Sequence, residues 1–158
     1  LEFLDADIRN PDVWRGFDGG FDLVVSSTAL HWLSAEDLKA TFRRVRDALR
    51  PAGWFVNSDH ISVANPADQA EHRMSLRRWQ EETLRTSGEL TWDAYWQALA
   101  NTLGVQNTES FRVGGVWDGS EDGLPETFHI ETLRELGFRQ SSVLWRRWGE
   151  AIVAARRL

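Results

Sequence analysis

Two apolar runs, Phe21–Val25 and Trp54–Val56, flank a single amphipathic segment in the first third of the chain. Continuous apolar strands joined through a helix read as one βαβ crossover of a parallel sheet, because both strand faces must be covered. The linking helix is marked by Ser34 as N-cap and Asp37 three residues on, a variant of the capping box. Leu38, Phe42, Val45 and Leu49 then recur on one helical face, and Arg50-Pro51-Ala52-Gly53 ends the helix. Ligands of such sheets bind beyond the carboxyl ends of the strands. The functional edge is therefore expected at Ser26–Trp32, with Asn57-Ser58-Asp59-His60 at or just past the end of the next strand.

The remaining pattern extends this unit. Leu1–Leu4 reads as a short strand followed by Asp5-Ala6-Asp7-Ile8, and Asp18-Gly19-Gly20 as a turn. A helix is expected from Pro66 to about Thr86, covering the sheet edge and stopped by Ser87-Gly88. Thr91 caps another helix, with Trp92, Trp96, Leu99 and Leu103 on one face and Gly104 at its end. The polar stretch 105–125 reads as a loop with a short strand at Phe111–Val113. Ile130, Leu133 and Leu136 mark a helix, with Gly137 at its cap. Ser141–Trp145 and Ala151–Ala155 lie too close for a crossover, so they must pair antiparallel. The fold class is thus α/β.

At 158 residues the chain suits one domain, and its net charge of -6 argues against a general nucleic-acid surface. No apolar run approaches the roughly 20 residues of a membrane span. The absence of cysteine excludes disulfides and thiolate chemistry and fits a cytoplasmic setting. The four histidines show no metal-ligand spacing, so no metal is expected. His72 and His129 are expected to face solvent. Of nine tryptophans most are expected in the core, with some walling a pocket.

The run FDLVVSSTALHWL, the helix ending LRPAGWFV and the terminal LRELGFRQSSVLW…EAIVAARR together resemble class I S-adenosylmethionine-dependent methyltransferases, most closely the UbiE-like small-molecule group. The resemblance covers 1–60 and 128–157 and implies a partial Rossmann-like methyltransferase sheet. Its first two strands are absent, residues 61–127 form an inserted helical lid, and an antiparallel hairpin closes the sheet. It implies one partial domain over 1–158, with S-adenosylmethionine as cofactor. Asp7 would accept a hydrogen bond from the adenine amino group, and the Ile8 N–H would meet the ring. Small residues Ser26 and Ser27 would border the methionine part. His31, or the rival His60, would serve as general base, since a free pKa near 6.5 suits proton removal. For Asp7 a turn cap, and for His31 a loop-orienting role, are the simpler alternatives. Trp32, Trp79 and Trp96 would contact the substrate.

The family's glycine-rich turn and its ribose-binding acid are not found in this stretch, so the stretch alone is expected to be inactive. The implied function is methyl transfer to a small-molecule acceptor as part of a longer chain. The alternative is a non-catalytic scaffold binding a partner, or dimerising, through a free sheet edge. Another nucleotide-using Rossmann enzyme is disfavoured by the terminal hairpin.

Overall fold

The computed structural model describes residues 2–105 and 122–158. The expected short strand at 111–113 lies outside them. The sheet is built from β1 (Phe21–Ser27), β2 (Leu49–His60), β3 (Phe138–Arg147) and β4 (Glu150–Arg157), in the order β1-β2-β4-β3. β1 and β2 run parallel, whereas β4 runs antiparallel to both β2 and β3. Helix α1 (Ala35–Ala48) makes the crossover between β1 and β2. The Ser34 hydroxyl accepts from the Asp37 N–H at 3.1 Å, closing the helix start as its sequence requires.

β2 begins earlier than the apolar run suggests. Phe21 pairs with Leu49 and Leu23 with Trp54, so residues 50–53 bulge out of the ladder. Gly53 is needed there: a Cβ would stand 2.9 Å from the Arg50 carbonyl oxygen and 3.1 Å from those of Phe21 and Asp22.

Helix α4 (Glu126–Glu135) packs beside α1 on one face of the sheet. Lys39 reaches Glu135 at 2.8 Å, and the Phe42 ring lies 5.4 Å from Phe55 and 5.7 Å from His129. Leu38, Val45, Leu49, Leu133 and Val153 complete a core confined to that face. On the other face Leu23, Val25 and Trp54 are exposed.

This one-sidedness corrects two expectations. Residues 2–4 form no strand, because no neighbour takes up their backbone groups, and Phe3 and Leu4 are exposed. None of the tryptophans whose side chains are described is fully buried; smaller aliphatics and phenylalanine fill the core. An indole is too large for a layer between two helices and a single sheet face already filled by Phe42, Phe55 and Phe138.

Helices α2 (Pro66–Ser87) and α3 (Trp92–Leu103) follow β2, each ended by a left-handed glycine as expected. α2 does not cover the sheet edge: Gln69 is its one buried residue. Its Trp79 instead packs against Trp148 in the β3–β4 turn, with the Arg147 guanidinium 4.7 Å from the Trp79 ring and 4.3 Å from that of Trp148.

His129 is 2% exposed rather than solvent-facing, and neither ring nitrogen has a hydrogen-bond partner. Its place among the apolar residues of α4 puts it on the face that meets Phe42. Burial lowers its pKa from 6.5 to about 4, offset only partly by the charge of Asp59. The unfolded chain therefore binds a proton between these values that the folded chain refuses. Stability should fall by about 3 kcal/mol as pH drops from 6.5 to 4 through this group. Urea unfolding of wild type and His129→Leu across that range checks this, and the variant should lose most of the slope.

Candidate functional site

The carboxyl ends of β1 and β2 carry the site. Ser26 pairs with Asn57 and Ser27 with Ser58, so the serine pair lies inside β1 rather than after it. Thr28, at φ 51°, turns the chain out of the sheet, and its N–H donates to the Ser58 carbonyl at 2.9 Å. The chain then enters a short 3₁₀ turn, Leu30–Trp32, that sets His31 beside the end of β2.

Alternation along β2 sends Phe55, Asn57 and Asp59 toward the core and leaves His60 half-buried on the opposite face. A carboxylate at a core position requires donors, and Asp59 has them. Its Oδ2 accepts the Leu30 N–H at 2.9 Å and the His31 N–H at 3.1 Å. Its Oδ1 accepts the His60 N–H at 2.9 Å and lies 2.6 Å from His31 Nδ1. Asn57 Nδ2 donates to Oδ2 at 3.5 Å. Burial works to raise the Asp59 pKa, but the hydrogen bond and charge of His31, with the His60 and Leu30 N–H groups, outweigh it and hold the pKa below the usual value.

An ionised carboxylate only accepts hydrogen bonds, so the proton of the pair sits on His31 Nδ1. Nε2 is thereby the nitrogen that Asp59 does not engage. The side chains of His31 and Asp59 are 4% and 1% exposed, which keeps the pair strong by excluding water. The His60 ring stands edge-on at 4.8 Å from His31, and the Trp32 ring lies 4.5 Å away. Both candidate histidines and Trp32 are thus brought to one place.

The other expected residues are not gathered there. Asp7 is exposed and bound by Arg9, whose Nη2 lies 2.7 Å away, and this pairing lowers its pKa. The Ile8 carbonyl accepts from Trp14 Nε1 at 2.9 Å. Ile8 lines an open apolar groove of about 360 Å³ with Leu4, Trp14, Phe17 and Phe21, against the amino-terminal part of β1. That groove also takes in Leu23 and Val24 of β1, but not Ser26 or Ser27 at its end. Trp79 sits on the hairpin turn, and the half-buried Trp96 ring lies 5.5 Å from Tyr95.

Sequence reasoning passed over Asp59, the residue that organises the site. A lone carboxylate at an inward position of an apolar strand is the signal that marks it. Among the described residues no group of three or more His, Cys, Asp or Glu side chains is arranged to hold a metal ion. No helix among them is long and apolar enough to cross a membrane.

Residues 1–57 match the Methyltransferase domain family. No curated protein matches the chain. Solved structures do. "PigF with SAH" aligns with a TM-score of 0.52 at 14% identity, over 96% of this chain and 34% of that one. An O-methyltransferase family protein from Burkholderia thailandensis gives 0.57 at 12% identity, over 99% and 35%. Human N-acetylserotonin methyltransferase in complex with SAM gives 0.50 at 14% identity, over 99% and 33%. The chain spans about a third of the length of these structures. At such identities the likeness shows the fold alone, a Rossmann-like α/β one.

Replacing Asp59 by Asn removes the charge yet keeps the shape. The amide would turn a donor toward the Leu30 and His31 N–H groups or toward His31 Nδ1. We expect a loss of about 2 kcal/mol, the size of losing a hydrogen bond to a charged group in a buried place. Denaturant titration of Asp59→Asn at neutral pH reads it directly.

Proposed function

We propose that the chain is part of an S-adenosylmethionine-dependent methyltransferase acting on a small-molecule acceptor, with His31 as the base that takes the acceptor's proton. The observation that carries this reading is the buried His31–Asp59 pair at 2.6 Å, at the strand ends where such a fold binds ligands. The family match over 1–57 and the methyltransferase neighbours support the reaction class. Within it we keep the UbiE-like small-molecule group, on the run from Phe21 to Trp32.

When bound, the cofactor supplies an electrophilic methyl group on a sulfonium. Of the residues assigned to it, Ser26 and Ser27 fit one side: their small side chains at the end of β1 let a ligand approach the backbone. Asp7 and the Ile8 carbonyl are engaged by Arg9 and by Trp14 Nε1. Asp7 serves the adenine only if its exposed pair with Arg9 opens, which costs at most about 1 kcal/mol.

The chain's own contribution lies on the acceptor side. Asp59 holds His31 by Nδ1 and stabilises the imidazolium formed when Nε2 accepts a proton. His60 stands as the alternative base, edge-on to the same ring. Trp32 borders the acceptor next to His31, and Trp79 and Trp96, on the helices that follow β2, contact it from the side of the variable insertion. The scaffold alternative is not favoured, because the family match over 1–57 and the methyltransferase neighbours speak for a catalytic fold.

Two measurements test the reading. Methyl transfer from labelled S-adenosylmethionine should be assayed for the natural full-length protein against small phenols, acids and amines. His31→Gln should lower kcat roughly 10²–10⁴-fold while leaving S-adenosylhomocysteine binding intact. Absence of both turnover and S-adenosylhomocysteine binding in the full-length protein would reject the assignment. Calorimetry on the 158-residue stretch alone should show weak binding or none, as the described residues furnish one side of the cofactor only.

A further inference from the structure

Gly123 touches both candidate histidines. A Cβ on it would lie 2.0 Å from the His60 carbonyl oxygen and 3.3 Å from the His31 Cβ, and its φ is +66°. No other residue type can bring its backbone so close. The segment around it crosses the site as a strap fastened at both ends. Ser62 holds the middle: its Oγ donates to the Gly123 carbonyl at 3.1 Å, and its N–H to that of Leu124 at 3.2 Å. The Glu126 N–H returns a bond to the Ser62 carbonyl at 2.9 Å.

At the far end the Glu126 carboxylate pairs with Arg146 at 2.9 Å, and the same guanidinium donates to the Ile61 carbonyl at 2.8 Å. At the near end Asp122 accepts from Gln69 Nε2 at 3.1 Å and faces Arg73 at 3.5 Å. Gln69 is 6% exposed, on a helix otherwise open to water. A buried amide must satisfy both of its ends, and this one does: its Oε1 accepts the Val63 N–H at 3.0 Å. Gln69 therefore ties the exit of β2 to the strap, the role for which the buried position on α2 is used.

We infer that residues 122–125 are a positioning strap that holds the His31 imidazole on Asp59, and that Gln69 of α2 sets the strap through Asp122. Gly123 fills the space beside His31, so the ring keeps its bond to Asp59 while the strap is seated. Displacement of α2 loosens the strap through Asp122 and frees the ring. This rests on the reading of His31 as the acting group, but its test observes the imidazole itself, so the two can fail separately.

The test is solvent exchange of the His31 Nδ1 proton, followed by NMR on protein labelled with ¹⁵N-histidine. Asp122→Ala and Gln69→Leu should speed exchange roughly tenfold or more, as loss of a half-buried charge-assisted hydrogen bond permits local opening. Asp122→Asn keeps an acceptor oxygen for Gln69 and should retain the wild-type rate. Unaltered exchange in folded Asp122→Ala overturns the inference. So does failure of Asp122→Asn to preserve the rate. Gly123→Ala adds a direct wedge between strap and histidine; should it not fold, the Asp122 pair of variants decides.

Discussion

The site depends on one carboxylate carried into a place where water cannot reach it. Asp59 lies on the inward face of the second strand, where the neighbouring positions are filled by Phe55 and the residues of α1 and α4. A charge so placed persists only because backbone N–H groups from two separate segments, a histidine nitrogen and an amide converge on it. The same convergence does structural work. It fastens the loop after β1 to the end of β2, and so joins the two halves of the crossover at the edge where a ligand would sit.

The core that surrounds this charge is one layer deep. Helices α1 and α4 share a single face of the sheet, and their contact is secured by Lys39 to Glu135 and by Arg46 to the Leu136 carbonyl at 3.3 Å. His129 illustrates what such a thin core tolerates. It stands against Phe42 and Phe128 as a neutral aromatic ring, near enough to Asp59 to feel its charge but without a hydrogen bond to spend on it. Two histidines of one chain thus take opposite electrostatic roles: His31 is held by a charge, and His129 is kept from acquiring one.

Much of the architecture was legible from local signals. Ser34 and Asp37 announced α1, Gly88 and Gly104 closed α2 and α3, and the short Arg146–Glu150 link forced β3 and β4 to pair antiparallel. These are short-range effects, written in neighbouring residues. What failed depended on distant partners. Leu1–Leu4 has the composition of a strand, yet composition does not supply a neighbour, and residues 2–4 lie outside the sheet. The tryptophans suggested a core, but a single layer between helices and sheet has no room for indoles. His31 and His60 could be picked out by residue type, while the Asp59 that joins them, Gln69 and Gly123 could not, because their significance arises from contacts between residues far apart in sequence, from Asp59 with His31 to Gly123 with the same histidine.

The bulge at residues 50–53 has a chemical consequence as well as a geometric one. β2 is clasped on both sides, by β1 and by β4, and its side chains alternate faces. A slip of one residue would swing His60 inward, turn Asp59 out to solvent and dissolve the pair with His31, although every backbone bond could be remade. Slack in chain length between α1 and the paired stretch is taken up where Ala52, at φ 67°, and Gly53 leave the ladder. Additions or deletions at that corner would be absorbed before reaching the acid, provided a glycine stays where three carbonyls crowd the backbone.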